Sequence, residues 1–354
     1  MVEWKMFGDV CSVHTGSQLN RNDMIYDGQY PVMNGGIDFS GYTNSYNETA
    51  NSITISQGGE SAGYVNWMKT DFWAGAHCYV VEHDAAIDRR YLYHTLKNKE
   101  RDIQQSKQGA GIPGLNRNTL YKQIIPVPSF AEQTRIVEIL DTFTASIENL
   151  KEQIAQRHKQ YEYYRDQLLD LEGKEGVEMK TLPEISINFD RERKPITSSK
   201  RVSGKYPYYG ASGIVDYVEG YIFDGDYLLI SEDGANLLAR TTPIAFSIKG
   251  KNWVNNHAHV LQFKDKVTQK LVEIYLNMIS LEPWINGAAQ PKLNKDNLNK
   301  IDIPFPSLSE QSRIVSILDT FEASLANLEA QLKEREKQYE YYRNKLLTFA
   351  HGTT

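Results

Sequence analysis

Two stretches of the chain carry apolar residues at alternating steps of four and three, with mostly polar residues between them. This spacing is typical of a heptad repeat, in which the apolar residues lie along one side of a helix. It predicts two long helices that pack as a coiled coil. Each series misses one step, at Arg157 and at Arg335. The predicted contact positions, called the seam below, are Ile136, Leu140, Phe143, Ile147, Leu150, Ile154, Ile314, Leu318, Phe321, Leu325, Leu328 and Leu332.

Both predicted helices begin with the same signals. The spacing of a capping box, in which a serine and a carboxylate satisfy unpaired backbone N–H groups, occurs at Ser129 and Glu132 and again at Ser307 and Glu310. A proline stands just before each serine, where it removes no helical hydrogen bond. A helix of this span is about 60 Å long, too long for one wall of a compact core. A plain dimerisation helix would explain one such stretch, but not two matched ones that each follow a domain.

The whole chain is an internal duplication, because the region before the second helix repeats the plan of the region before the first. Trp73 and His77 recur as Trp253 and His257, and the loop pattern GAxxPxLN precedes both helices. Short β-like runs and stretches of helical spacing are mixed in both regions. The sequence therefore predicts an α+β fold of two tandem domains with mixed β-sheet and helices, each followed by a long helix. The predicted bounds are 1–128 and 174–306 for the domains, 129–173 and 307–350 for the helices, and 351–354 for a tail.

The two domains differ in the loops that their shared framework carries. The middle of the first contains SQGGESAGYVNWMKTDF, whereas the matching part of the second contains SEDGANLLARTTPIAFSIKGKN. One framework with two loop sets suits two modules that bind different versions of one kind of target. Drift in loops without function is the alternative.

Motifs for catalysis or cofactor binding are weak. Residues 109–114 match GxGxxG literally, but Pro113 interrupts the motif and the second copy lacks two of the glycines, so a dinucleotide site is disfavoured. No phosphate-binding GxxxxGK[ST] sequence occurs. His257 and His259 could suggest a metal site, but the first copy has no such pair, so a buried, hydrogen-bonded histidine is the better interpretation.

The net charge of −6 is unusual for a nucleic-acid-binding protein, but much of the acidity lies in the first predicted helix. Basic residues near aromatic ones are typical of phosphate and base contacts. For the basic stretch at 191–205, a solvated loop is an equal alternative; the other candidates lie in or just after the matched loops before the helices. The predicted DNA-binding residues are Arg191, Arg193, Lys194, Lys200, Arg201, Lys205, Lys292, Lys295, Arg117 and Lys122.

The chain resembles the specificity subunit of type I restriction–modification systems. The resemblance is carried by IPVPSFAEQTRIV at 125–137, by QPKLNKDNLNKIDIPFPSLSEQ at 290–311, and by the long helix that follows each. It implies that each domain is a target recognition domain for one half of a bipartite, asymmetric DNA site. It also implies that the helices pack antiparallel, set the spacing between the half-sites and dock the partners. No base-contacting residue can be transferred from the family.

The resemblance also implies the partners and cofactors. Double-stranded DNA, two methyltransferase (modification) subunits and restriction/translocase subunits are expected, with no membrane. No catalytic residue and no cofactor is expected on this chain; S-adenosylmethionine, and ATP and Mg²⁺ for restriction, belong to the partners. The two cysteines and the lack of an apolar start indicate the cytoplasm. Two alternatives stay open: the DNA-recognition part of a fused or split enzyme with its own active site, and a structural coiled-coil adaptor.

Overall fold

The chain divides into two compact units, and each long helix contributes to both. The structure is a computed structural model that describes residues 2–108, 113–287 and 290–349. The first unit holds residues 1–152 and 329–354, and the second holds residues 153–328. Each unit therefore combines one domain with a segment of both helices. The domain bounds predicted from the duplication stay a prediction, and the predicted tail lies outside the described residues.

Short strands and short helices lead up to the first long helix. In chain order the elements are β1 (Glu3–Met6), α1 (Phe7–Val10), β2 (Cys11–Thr15), β3 (Tyr30–Met33), β4 (Gly41–Thr43), β5 (Ser52–Ser56), β6 (Val65–Met68), β7 (Trp73–Ala74), β8 (Cys78–His83), α2 (Arg89–Asn98), α3 (Glu100–Gln105), α4 (Arg117–Tyr121), β9 (Ile124–Val127) and α5 (Phe130–Leu169).

The second half repeats this plan with longer strands. Its elements are β10 (Glu178–Thr181), α6 (Leu182–Ile185), β11 (Ser186–Asn188), β12 (Ser203–Gly210), β13 (Gly213–Val218), β14 (Phe223–Ser231), α7 (Asn236–Ala239), β15 (Ala245–Val254), β16 (Ala258–Phe263), α8 (Lys266–Met278), α9 (Lys295–Leu298), β17 (Asp302–Phe305) and α10 (Leu308–Leu347). The predicted α+β domains, each followed by a long helix, are confirmed.

The two units have corresponding strands, but the sheet that is continuous in the second unit is divided into two in the first. In the first unit, β2-β8-β5-β6 and β4-β3-β7 form separate sheets. In the second unit, one sheet has the order β11-β16-β14-β15-β12-β13. The difference lies in β15, which pairs antiparallel with β14 and then parallel with β12. The short strands β6 and β7 make these pairings separately in the first unit.

Both helices enter the hydrophobic core of each unit. In the first unit, Ile136 and Leu140 of α5 and Leu347 of α10 join the cluster built on β5, β8 and α2. In the second unit, Leu169 of α5 and Leu318 of α10 pack with residues of α8. Burial of these apolar faces is the main favourable contribution to docking each domain on the helices.

Within each unit the two helices contact each other and run in opposite directions. In the first unit, the ring of Phe143 stacks on Tyr342 with 5.2 Å between centroids, and Lys151 lies 3.5 Å from Glu336. In the second unit, Tyr164 stacks on Phe321 at 5.4 Å.

The two polar residues that interrupt the heptad series also lie against aromatic rings. The guanidinium of Arg157 is 5.7 Å from the centroid of Phe321, and that of Arg335 is 5.7 Å from the centroid of Phe143. Both are within the distance of a cation–π interaction. The interruptions are therefore compatible with continuous helix packing.

The predicted capping boxes form only in part. Ser307 Oγ accepts a hydrogen bond from the backbone N–H of Glu310 at 3.3 Å. The carboxylates of Glu132 and Glu310 instead each bind an arginine three residues later through two hydrogen bonds. These charge-assisted, bidentate bonds are stronger than the single bond that a capping box would give.

In the described part of the chain, no helix is both long and apolar enough to cross a membrane.

Candidate nucleic-acid interface

In the second domain, four of the predicted DNA-binding residues have hydrogen-bond or ion-pair partners inside that domain. Arg193, whose side chain is only 13% exposed, forms an ion pair with Glu232 at 2.6 Å. Lys292 approaches the same carboxylate at 3.1 Å, and Lys295 donates to Asn188 Oδ1 at 2.9 Å. Arg201 lies 4.5 Å from the centroid of the Tyr208 ring and 3.3 Å from Asp216. A phosphate would have to compete with these contacts.

The remaining predicted residues are exposed. They are Arg191, Lys194, Lys200, Lys205, Arg117 and Lys122. Arg117 lies 5.9 Å from the centroid of the Tyr79 ring. The role of these residues in DNA binding stays a prediction. Their exposure meets its first requirement, which is access to a phosphate.

Glu232 belongs to a largely buried network of charges in the second domain. His259 contacts Asp190 at 2.7 Å, and Arg193 lies 3.7 Å from the same carboxylate. Burial alone would raise the pKa of Asp190, but the hydrogen bond and charge of His259, with the charge of Arg193, lower it to about 2. Such mutually satisfied charges indicate a structural role for this network.

His259 matches the prediction of a buried, hydrogen-bonded histidine, whereas the side chain of His257 is 51% exposed and lies 2.9 Å from Asp233. The side chain of His259 is 1% exposed, and its second ring nitrogen is 2.8 Å from the carbonyl oxygen of Leu293. Both ring nitrogens thus have protein partners and neither can bind a metal. Across residues 2–108, 113–287 and 290–349, no three His, Cys, Asp or Glu side chains are grouped to hold a metal ion.

The glutamine of each EQxRI sequence is fully buried. Gln133 Nε2 donates to the carbonyl oxygens of Pro128 and Ala86, and its Oε1 accepts from the N–H of Asp88. Gln311 Nε2 donates to Pro306, and its Oε1 accepts from the Thr268 hydroxyl. In both units the glutamine therefore connects the start of a long helix to the preceding domain through hydrogen bonds.

A second polar cluster joins the first domain to both helices. The fully buried His94 of α2 contacts Asp141 of α5 at 2.8 Å and the hydroxyl of Tyr339 of α10 at 3.2 Å. Arg90 also binds Asp141, at 2.7 Å. Burial lowers the pKa of His94, so its imidazole is neutral near pH 7. Its Nε2–H then donates to Asp141, and its Nδ1 accepts from Tyr339.

Sequence reasoning missed Lys251, an exposed residue of β15 whose ammonium is 4.7 Å from the centroid of the Tyr221 ring. Lys251 is far along the chain from the basic stretch at 191–205, so local composition gave no signal. The parallel pairing of β15 with β12 brings its strand beside the one that carries Lys205. The sequence did contain one signal. Aligning Trp253 with Trp73 pairs the basic Lys251 with the acidic Asp71.

The glycine-rich motif of the first copy lies mostly outside the described residues, which resume at Pro113. Gly114 forms bridges with Gly58 and Gln108, and the corresponding Lys292 forms bridges with Asp233 and Asn286. The framework around both loops is thus the same, although the side chains differ.

The family model, the similar sequences and the similar structures found by comparison with known proteins agree with one another. The family model "Type I restriction modification DNA specificity domain" matches residues 1–157 and 174–337. A protein of Haemophilus influenzae named as a type I restriction enzyme specificity subunit is 44% identical over 185 residues, which span 50% of this chain and 47% of the relative. The alignment therefore covers about half of that relative's length. The EcoR124I/EcoR124II specificity subunit of Escherichia coli is 28% identical over 98% of this chain and 94% of its own length.

Among solved structures, the type I restriction–modification S subunit of Mycoplasma genitalium superposes with a TM-score of 0.72 at 20% identity. The match covers 99% of this chain and 97% of that one, so the two share a fold. Because the family model matches both halves of the duplication, the chain belongs to the type I restriction–modification DNA specificity family and carries two copies of its domain.

Proposed function

We propose that this chain is the DNA-specificity subunit of a type I restriction–modification complex, in which each domain recognises one half of a bipartite, asymmetric site. The observation that carries the proposal is the pair of matched domains: they share a framework and the same attachment to the helices, but their loops differ. A framework that is repeated while its loops vary is what two unlike half-sites require.

The proposal includes the partners. The chain binds double-stranded DNA and two methyltransferase subunits, and restriction/translocase subunits join them in the cytoplasm. S-adenosylmethionine, ATP and Mg²⁺ are held by these partners, and the helix pair sets the spacing between half-sites. The chain itself has no catalytic activity. Methyl transfer or cleavage by the highly purified chain, abolished by a substitution within it, would contradict this part of the proposal.

Domain exchange tests the main claim. The chain would be coexpressed with its methyltransferase subunits, and the methylated sites would be mapped by sequencing the methylated genome. Replacing residues 1–120 with the matching part of a relative should change one half-site and leave the other intact. The matched exchange in the second domain should do the reverse. If either exchange altered both half-sites, the assignment of one domain to one half-site would be wrong.

A further inference from the structure

A pair of tyrosine rings occupies the same place in both domains. The ring centroids of Tyr30 and Tyr46 lie 4.9 Å apart, with 58° between the ring planes. Those of Tyr206 and Tyr221 lie 5.1 Å apart, with 59° between the planes. In each pair the first tyrosine aligns across antiparallel strands with a residue three positions before the second tyrosine. The two pairs therefore correspond in position and in geometry.

Within the described parts of the chain, basic side chains lie against the pair in the second domain and not in the first. The ammonium of Lys205 is 5.3 Å from the centroid of Tyr206, and that of Lys251 is 4.7 Å from the centroid of Tyr221. In the first domain Gln29 precedes Tyr30, as Lys205 precedes Tyr206.

The first-domain counterpart of Lys251 is an acidic residue. Asp71 lies two residues before Trp73, as Lys251 lies two residues before Trp253, and both tryptophans are on strands that pair in parallel with the strand of the first tyrosine. Asp71 Oδ1 accepts a hydrogen bond from the N–H of Ala50 at 2.8 Å. Two positions that are basic in the second domain are thus neutral and acidic in the first.

Both lysines are exposed, and within the described ranges neither forms an ion pair with a carboxylate at 4.0 Å or less. The neighbouring Tyr221 phenol is the main factor that raises the pKa of Lys251, and the charge of Asp224 contributes least, without such a pair. Each ammonium has three N–H donors, and attraction to a ring face orients the ammonium without using all of them. The lysines are therefore positioned and can still bind an anion.

We propose that Lys205, Tyr206, Tyr221 and Lys251 form a binding site for the phosphate backbone of duplex DNA in the second domain, and that the first domain has no equivalent site. The inference rests on the proposed function, because a DNA-specificity domain meets closely spaced phosphates. Phosphate contacts position a domain on DNA without specifying bases. The second domain consequently contributes ionic, salt-sensitive binding through this site, and the first domain lacks this contribution.

The salt dependence of DNA affinity tests the site. The complex with methyltransferase subunits would be titrated with a duplex that contains its methylated site, at several salt concentrations. Each phosphate contact contributes about 0.9 to the slope of log affinity against log salt. The double variant Lys205→Gln/Lys251→Gln should therefore reduce the magnitude of the slope by about 1.8, while the methylated sequence stays the same. Gln29→Lys, which introduces a lysine beside the first pair, should increase it by up to about 0.9.

A matched control uses lysines that already have carboxylate partners. Lys69 is paired with Glu148, and Lys266 lies 2.8 Å from Asp226, so Lys69→Gln/Lys266→Gln removes the same charge and should change the slope much less. Thermal unfolding and complex assembly would verify that both double variants fold.

The outcomes separate the two proposals. If the wild-type complex binds its site specifically but Lys205→Gln/Lys251→Gln leaves the slope unchanged, the phosphate site is refuted and the proposed function stands. An equal loss in both double variants would also refute it, because the effect would reflect total charge. Loss of methyltransferase binding at an unchanged slope would identify a protein interface instead. If the wild-type complex has no sequence-specific DNA binding, the proposed function itself is wrong.

Discussion

Gln133 and Gln311 each use both ends of the side-chain amide, and each bonds a proline carbonyl oxygen just before its long helix. The arginine two residues later has a different role, because it lies on the surface and pairs with the glutamate of the same motif. The EQxRI pattern was visible in the sequence, but its division into a buried and an exposed part was not. The spacing of a motif alone does not show which of its side chains are buried.

Replacing Gln133 with leucine should destabilise the first unit. Gln133→Leu leaves the N–H of Asp88 and two carbonyl oxygens without their side-chain partner, and an unsatisfied buried polar group costs about 1–3 kcal/mol. The free energy of unfolding would be measured by denaturant titration. Arg135→Ala is the control, since its exposed pair with Glu132 should contribute less than about 1 kcal/mol. Equal losses in both variants would argue against a special role for the glutamine.

The buried His94 should make the first unit sensitive to mild acid. The unfolded chain protonates this residue near its ordinary pKa of 6.5, whereas burial lowers the pKa in the folded chain. The contribution to stability is therefore complete above pH 6.5 and is lost as the pH falls through the folded pKa. Asp141, whose pKa lies below 3.8 in the folded chain, loses its contribution only at lower pH.

The measurement compares free energies of unfolding at pH 7.5 and pH 5.5. The wild type should lose more stability over this interval than His94→Gln, which lacks the titrating ring. The rest of the chain is identical in the two proteins, so its contribution to the pH dependence cancels in the comparison. An identical loss in both proteins would show that His94 does not retain a lowered pKa.

At the scale of elements, the heptad pattern identified the buried face of each helix but not everything that covers it. Ile136 and Leu140 pack in one cluster with residues of the first domain and with Leu347 of α10. Ile314 and Leu318 pack with α8 residues and with Leu169 of α5. An apolar stripe has the same sequence signature against another helix as against a domain, so periodicity alone cannot separate the two. The seam assignment as a whole stays a prediction.

A substitution on α10 can measure this packing. Leu318→Ala should reduce the stability of the second unit by about 2–5 kcal/mol, because the side chain is fully buried and its removal leaves a cavity. Leu332→Ala, at a partly exposed seam position of the same helix, should cost less. Chemical denaturation of both variants gives the comparison. A smaller loss for Leu318→Ala than for Leu332→Ala would contradict the packing described here.

At the scale of the whole molecule, the duplication was evident because residue identities recur at a nearly constant offset. The division of one sheet into two in the first unit could not be predicted, because it depends on whether one strand or two short ones bridge β5 and β3. The assignment of residues 329–354 to the first unit was equally hidden. It results from contacts such as that between His94 and Tyr339, which are remote in sequence.

This assignment has a consequence for synthesis on the ribosome. The second unit is one continuous segment, 153–328, whereas the first needs residues from both sides of it. The domain that is translated first can therefore complete its core only after residues such as Tyr339 and Leu347 have emerged. A chain stopped after Leu328 should retain a protease-resistant second unit and lose protection of the first, whereas a chain stopped after Phe349 should protect both. Mass spectrometry of limited digests would distinguish these patterns, and a stably protected first unit in the shorter chain would show that it closes without α10. The part of the chain that is made first is thus expected to be the last to become resistant to proteases.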